Sequence, residues 1–295
     1  MKMNRIAAMV GLGLAGFAAL AFNALAQQDR SGWPTELVMA TVPVEGSKDA
    51  SDRAKPFVAY LEKALGLKIK FTNGADYTAV IIAQQNKQVD FAAYGPGSYL
   101  DAAARANVEA FARENSIKNG LGYYSMIISK KDGPIKTFAD AKGKNFAFVD
   151  PESTSGYKVP LVYFCKDLKT KAQDYFKTVL FAGTHENVIL GVANGRIEVG
   201  ATNDLSIVSA SEKGVIKGEA EYNILWKSKL IPASPWAVRK DLPITLKAAL
   251  KKAFTDFNDK TYLESYGLKS YAAAEDADYD AFREVNDYSK RSECK

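Results

Sequence analysis

Asn145-Phe-Ala-Phe-Val-Asp-Pro-Glu-Ser-Thr-Ser-Gly156 reads as a buried strand that turns sharply into a helix. The apolar run through Val149 fits a strand covered on both faces, the form that parallel sheets impose. Asp150-Pro151 ends it, and Ser153-Thr154-Ser155-Gly156 opens the helix. The first N–H groups of a helix have no internal partner and lie at the positive end of its dipole. Three hydroxyls add donors, and Gly156 permits close backbone approach, so the segment reads as an oxyanion site. Ordinary N-capping, the simpler explanation, uses one hydroxyl.

The same strand–turn–helix form recurs on both sides of this segment. Asp90-Phe-Ala-Ala-Tyr-Gly-Pro-Gly-Ser-Tyr99 places Tyr94 at the carboxyl end of a strand, where ligands bind in α/β sheets. Asp76-Tyr77 repeats it, with Asp76 as N-cap and Tyr77 facing a cleft. Gly183-Thr184-His185-Glu186-Asn187 puts the only histidine of the chain at a helix start. His185 could hold an oxygen as a cation or as a neutral N–H donor. A lone histidine is more often structural. Thr202-Asn203-Asp204 ends the next strand and offers an amide and a carboxylate at the same rim.

Around these motifs the chain alternates β-rich runs with helical stretches. Strands are expected at 36–42, 68–72, 89–93, 108–114 and 123–129, then at 145–149, 178–181, 198–202, 222–226 and 236–239. Helices are expected at 50–65, 79–88, 96–106, 138–142, 153–168 and 186–194, and two strandless helices, 246–258 and 279–288, close the chain. Such alternation argues for parallel α/β sheets. Two successive rounds suggest two domains, crossed near 122–129 and 233–239. The division expected is 27–123 with 236–295 for lobe 1 and 124–235 for lobe 2, with the ligand cleft between them and a hinge able to close it.

Residues 1–26 have the layout of a secretory signal peptide. Lys2 and Arg5 precede an apolar run from Ile6 to Phe22, and Ala24-Leu-Ala26 supplies small residues before the polar Gln27-Gln-Asp-Arg30. No cysteine follows the run, which excludes a lipoprotein anchor. Cleavage would remove two of the charges behind the formal net charge of +5. A weak, dispersed positive charge suits a small anion and not nucleic acid. Cys165 and Cys294 meet an oxidising compartment and could pair, but their spacing leaves the pairing open.

Catalytic readings are weaker. Ser155-Gly-Tyr-Lys158 fits S-x-x-K, a frequent chance pattern, and its S-D-N and K-T-G companions are absent. There is no G-x-S-x-G, P-loop, G-x-G-x-x-G or H-E-x-x-H. One histidine and two distant cysteines make a transition-metal site improbable.

Asp76-Tyr77, Tyr94-Gly95, Asp150-Pro-Glu-Ser-Thr-Ser-Gly156, His185, Val192-Ala-Asn194, Ala201-Thr-Asn203 and Trp226-Lys-Ser-Lys-Leu-Ile-Pro232, in this order, resemble the phosphonate/phosphite solute-binding family of bacterial ABC transporters. The resemblance covers nearly the whole mature chain. It implies a two-lobed periplasmic-binding-protein fold of type II, a non-enzymatic and cofactor-free monomer in the periplasm, and an inner-membrane ABC permease as partner. It also implies that Tyr77, Tyr94, Ser153, Thr154, Ser155 and His185 hold a PO3 group. Relatives that take 2-aminoethylphosphonate add carboxylates for the ammonium, at places that look like Leu205 and Ser234 here. With those acids missing, Asp204 is the expected ammonium partner of 2-aminoethylphosphonate. Phosphite and simple alkylphosphonates are the alternatives.

Overall fold

The computed structural model describes residues 29–294. The expected signal peptide lies outside them. The first round of elements is β1 (Glu36–Thr41), α1 (Ser47–Leu65), β2 (Lys68–Asn73), α2 (Tyr77–Gln85), β3 (Phe91–Ala93), α3 (Pro96–Ala106) and β4 (Val108–Ser116). Next come β5 (Gly122–Tyr123), β6 (Ser125–Lys130) and β7 (Asn145–Phe148), then a π-helical turn (Thr154–Lys158) running straight into α4 (Val159–Val162). They are followed by α5 (Ala172–Tyr175), β8 (Thr178–Phe181), α6 (His185–Ala193), β9 (Val199–Asn203), α7 (Asp204–Glu212) and β10 (Tyr222–Lys227). The chain closes with β11 (Ile231–Pro232), β12 (Pro235–Arg239), α8 (Ile244–Asp256), α9 (Lys260–Ser265), β13 (Leu268–Ala273) and α10 (Asp280–Tyr288).

Two sheets organise these elements, in the orders β13-β4-β12-β3-β1-β2 and β10-β6-β9-β7-β8. Both are mixed rather than parallel as expected. β12 runs antiparallel to β3 and β4, and β6 runs antiparallel to β9 and β10. The chain passes between the sheets twice, through β5 and β11, which pair with each other as a small antiparallel ribbon. β6 and β12 are the strands that leave this ribbon, so the second crossing sends β12 back against the direction of β3 and β4.

Helices cover both faces of each sheet, so alternate strand residues enter different cores. In β1, Leu37 and Met39 pack with Phe57, Trp236 and Phe254, while Ala40 joins Tyr77 and Tyr99 on the other face. In β6, Ile127 packs with Phe146, Phe148 and Phe164, while Met126 and Ile128 meet Ile189 and Val192. Burial of an aliphatic or aromatic side chain of this size contributes about 2–3 kcal/mol. The predicted face of α1 is largely as built, with Ala54, Phe57, Leu61 and Leu65 buried and Val58 half-buried.

The C-terminal region departs from expectation. β13 adds an edge strand antiparallel to β4, where the sequence reading placed helices without a strand of their own. A bulge between Leu268 and Ser270 breaks its two-residue alternation, so Leu268 and Tyr271 are the buried pair and no regular period shows. α10 then packs against both α3 and α4. Beyond it Cys294 forms a disulfide with Cys165, their Cα atoms 5.1 Å apart. The C-terminal tail is thereby fastened to the half of the molecule that holds β7.

Candidate functional site

Four helix starts converge between the sheets, each following a strand. Ser153 caps the π-helical turn by accepting from Gly156 N at 3.0 Å, and the turn carries the i to i+5 bond from Lys158 N to Ser153 O at 2.9 Å. Such turns cluster at functional positions. Glycine is required at 156, where a Cβ would sit 2.3 Å from a Val149 methyl. Asp76 caps α2, so Tyr77 is its first residue, and Thr184 caps α6, so His185 is the first residue there. Asn203 caps α7 by accepting from Ser206 N through Oδ1 at 2.7 Å. That bond orients the Asn203 amide, whose Nδ2 donates to Ser155 Oγ at 3.2 Å.

The result is a wall of neutral donors. Ser153, Thr154, Ser155 and His185 are all buried. His185 Nδ1 lies 3.0 Å from Thr202 Oγ1, and its Nε2 lies 3.4 Å from Ser153 Oγ. Burial pushes its pKa down to about 3, so the ring is neutral at physiological pH. The Tyr77 hydroxyl faces Ser153, and burial raises the pKa of that phenol. Backbone N–H groups, hydroxyls, an amide and an imidazole can hold an oxyanion without a cation.

Two expected residues stand elsewhere. Tyr94 turns into the first sheet's core and donates from its hydroxyl to Gln84 Oε1 at 2.8 Å. Gln84 in turn donates to Ala237 O at 3.1 Å, which locks the ring away from the donor wall. Asp204 accepts from Tyr124 N at 2.9 Å and from Asn119 Nδ2 at 2.6 Å. Its carboxylate is occupied on the outer side of α7, and Asn203 alone of that pair faces the cleft. Lys158 is also spoken for: its ammonium is held by Asp101 and by Glu152, the latter at 2.7 Å. It is not free to activate Ser155.

Two residues that the sequence reading left unused stand in the cleft. Tyr123, in the β5 crossing, turns its hydroxyl toward those of Ser155 and Thr154. Glu114, near the end of β4, has the Ser234 hydroxyl beside it and no ion pair with any Lys, Arg or His among the described residues. Desolvation raises its pKa to about 7, with Ser234 opposing. A signal for Glu114 existed, an acid near the carboxyl end of a strand, where α/β sheets place their ligands.

Tyr123, Ser155, His185, Asn203, Glu114 and Ser234 share one cavity of about 120 Å³. A second cavity, of about 130 Å³, adjoins it through Val44, Glu45, Glu114, Ser234 and Tyr266. Around the mouth the two halves touch. Arg53 reaches Glu45 at 2.7 Å and Ser209 Oγ at 2.9 Å, and Lys213 reaches Glu45 at 3.1 Å and also holds Glu186. Deeper in, Gly97 N donates to Thr154 Oγ1 at 2.9 Å.

Residues 39–279 match the family described as ABC transporter, phosphonate, periplasmic substrate-binding protein. The phosphonates-binding periplasmic protein of Escherichia coli is 33% identical over 243 residues, covering 80% of this chain and 71% of the relative. The phosphate-import protein of Mycolicibacterium smegmatis is 28% identical over 287 residues, covering 90% and 89%. The crystal structure of a binding protein component of an ABC phosphonate transporter from Pseudomonas aeruginosa superposes with a TM-score of 0.80 at 26% identity, covering 86% of each chain.

Proposed function

The chain belongs to the phosphonate periplasmic substrate-binding protein family of ABC transporters, and from that premise we propose that its ligand is 2-aminoethylphosphonate, with Glu114 as the ammonium partner. The family consists of binding proteins, not enzymes, and its architecture is the two-lobed periplasmic-binding-protein fold of type II. A component of an importer delivers its ligand to a membrane permease.

One observation carries the proposal: a single cavity joins the neutral donors Tyr123, Ser155, His185 and Asn203 to Glu114, a carboxyl with no ion pair among the described residues. The PO3 group is held by Ser153, Thr154 and Ser155 at the helix start, with Tyr77, Tyr123, His185 and Asn203 around it. Charge-assisted hydrogen bonds to an oxyanion are roughly twice as strong as neutral ones. A carboxylate drawn partly out of water with no counter-charge is costly, and an ammonium supplied by the ligand removes that cost. Asp204, already held by Asn119 and Tyr124, is not part of this reading. The lobes divide as 27–123 with 236–295 and 124–235, and they close on the ligand at Arg53, Lys213 and Gly97.

A second reading, phosphate or phosphite, is favoured by the same Glu114. With its pKa near 7 it is partly protonated at neutral pH and can donate to an additional ligand oxygen. Calorimetry on ligand-stripped protein separates the two. Under the proposal 2-aminoethylphosphonate binds at least about tenfold, or ~1.4 kcal/mol, more tightly than methylphosphonate or phosphite. Equal affinities remove the amine reading, and no heat with any of them removes the PO3 reading.

A further inference from the structure

The second cavity has a different chemistry from the first. Trp236 from β12, Tyr262 and Tyr266 from the α9 region, and Tyr271 from β13 form much of its wall, with Ala50 and Ala54 of α1 closing one side. Its polar tips are turned to one another or outward. The Tyr262 and Tyr271 hydroxyls interact, the Tyr94 hydroxyl serves Gln84, and Thr41 Oγ1 donates to Asn73 at 2.9 Å. Arg53 covers one face of Tyr266 at 3.7 Å from the ring centroid, but its charge is met by Glu45. Glu45 lines both cavities, and its carboxylate is taken by Arg53 and Lys213. Glu114 is therefore the carboxyl at the threshold with no cation of its own among the described residues.

Resting on the reading of a PO3 group at Ser153–Ser155, we propose that this aromatic cavity receives a methylated ammonium, so that N-methylated aminophosphonates up to the trimethyl compound are ligands. A primary ammonium pushed into the cavity would leave N–H donors without acceptors, a penalty of about 1–3 kcal/mol for each donor left unpaired. A trimethylammonium has no N–H to satisfy and is attracted by aromatic faces and by a nearby carboxylate. The space suffices, since an apolar cavity of about 150 Å³ holds benzene and a trimethylammonium group is smaller. The two cavities share Glu114 and Ser234, so a group carried on a short carbon spacer from the first enters the second at that threshold.

The test uses the full ligand-stripped protein and four probes: methylphosphonate, 2-aminoethylphosphonate, 2-(trimethylammonio)ethylphosphonate and 3,3-dimethylbutylphosphonate, the neutral isostere of the third. The trimethyl compound binds at least as tightly as the primary amine and at least about tenfold more tightly than the isostere. Glu114→Gln collapses the difference between charged compound and isostere. Ala54→Leu, which fills the cavity, weakens the trimethyl compound at least about tenfold and leaves methylphosphonate unchanged. Tenfold weaker binding of the trimethyl compound than of the primary amine overturns the proposal, as does equal affinity for the isostere. Failure of methylphosphonate to bind the parent protein strikes instead at the PO3 reading.

Discussion

Loss of contact with water acts in opposite directions on two titratable side chains of the cleft, the half-buried Glu114 and the buried His185. It raises Glu114 from 4.5 to about 7 and lowers His185 from 6.5 to about 3, because it disfavours the charged form of each. Between pH 4.5 and 7 the folded protein binds more protons at Glu114 than the unfolded chain does. The stability from this group is full below 4.5 and lost as pH rises through 7. At His185 the unfolded chain binds more protons between pH 3 and 6.5, so that contribution is full above 6.5 and lost as pH falls toward 3. Glu114→Gln abolishes only the first effect. The ligand-free variant should melt a few degrees above the parent at pH 8, a gain on the order of 1–2 kcal/mol, and little above it at pH 5. Melting curves at the two pH values check this, and an equal gain at both would detach the effect from ionisation. Asp204 and Glu114 also show where single-residue reading runs out. Asp204 follows the strand-end Asn203, but one helical residue turns a side chain by about 100°, enough to carry the carboxylate from the cleft to Tyr124 and Asn119.

Among the elements, three of the four helix starts were legible because their caps are written in short polar motifs: Asp76, Ser153 and Thr184 each accept from a backbone N–H of the first turn that follows. The helix α7 was not expected, although Asn203 caps it in the same way at the end of β9. β13 was not legible, since its bulge erased the alternation that marks a strand. Nor was the inward turn of Tyr94, which depends on Gln84, ten residues earlier in the chain. The start of α3 carries a constraint of its own. Gly95 has φ −80°, which any residue adopts, so its smallness and not its backbone freedom is what counts. A Cβ there would lie 2.5 Å from Thr154 Oγ1, across the cleft. Gly95→Ala should therefore leave the ligand-free melting temperature nearly unchanged while weakening phosphonate binding about tenfold, because the halves cannot meet. Calorimetry beside a melting curve reads both, and unaltered affinity would show that this approach is not needed for binding.

For the molecule as a whole, the alternation of strands and helices foretold two α/β units and a double crossing. It could not foretell sheet direction, because pattern shows which faces of a strand are covered and not which way the strand runs. The crossings, β5 and β11, lie side by side, so in the closure proposed above they serve as one axis. The bond from Cys294 to Cys165 adds a third link, made through other elements than β5 and β11. α10, which precedes it, already bridges α3 and α4. A tether placed away from a pivot limits how far the jaws swing, and it keeps each jaw at high local concentration around the other. Cutting it should enlarge the ligand-free radius of gyration seen by small-angle scattering. It should also lower apparent affinity in proportion to the lost share of closed molecules. The double variant Cys165→Ser with Cys294→Ser checks both, and unchanged scattering and affinity would show the tail to be slack. With the tether taut, a thiol reductant loosens the grip on the ligand from a distance, with every residue that touches the ligand left intact.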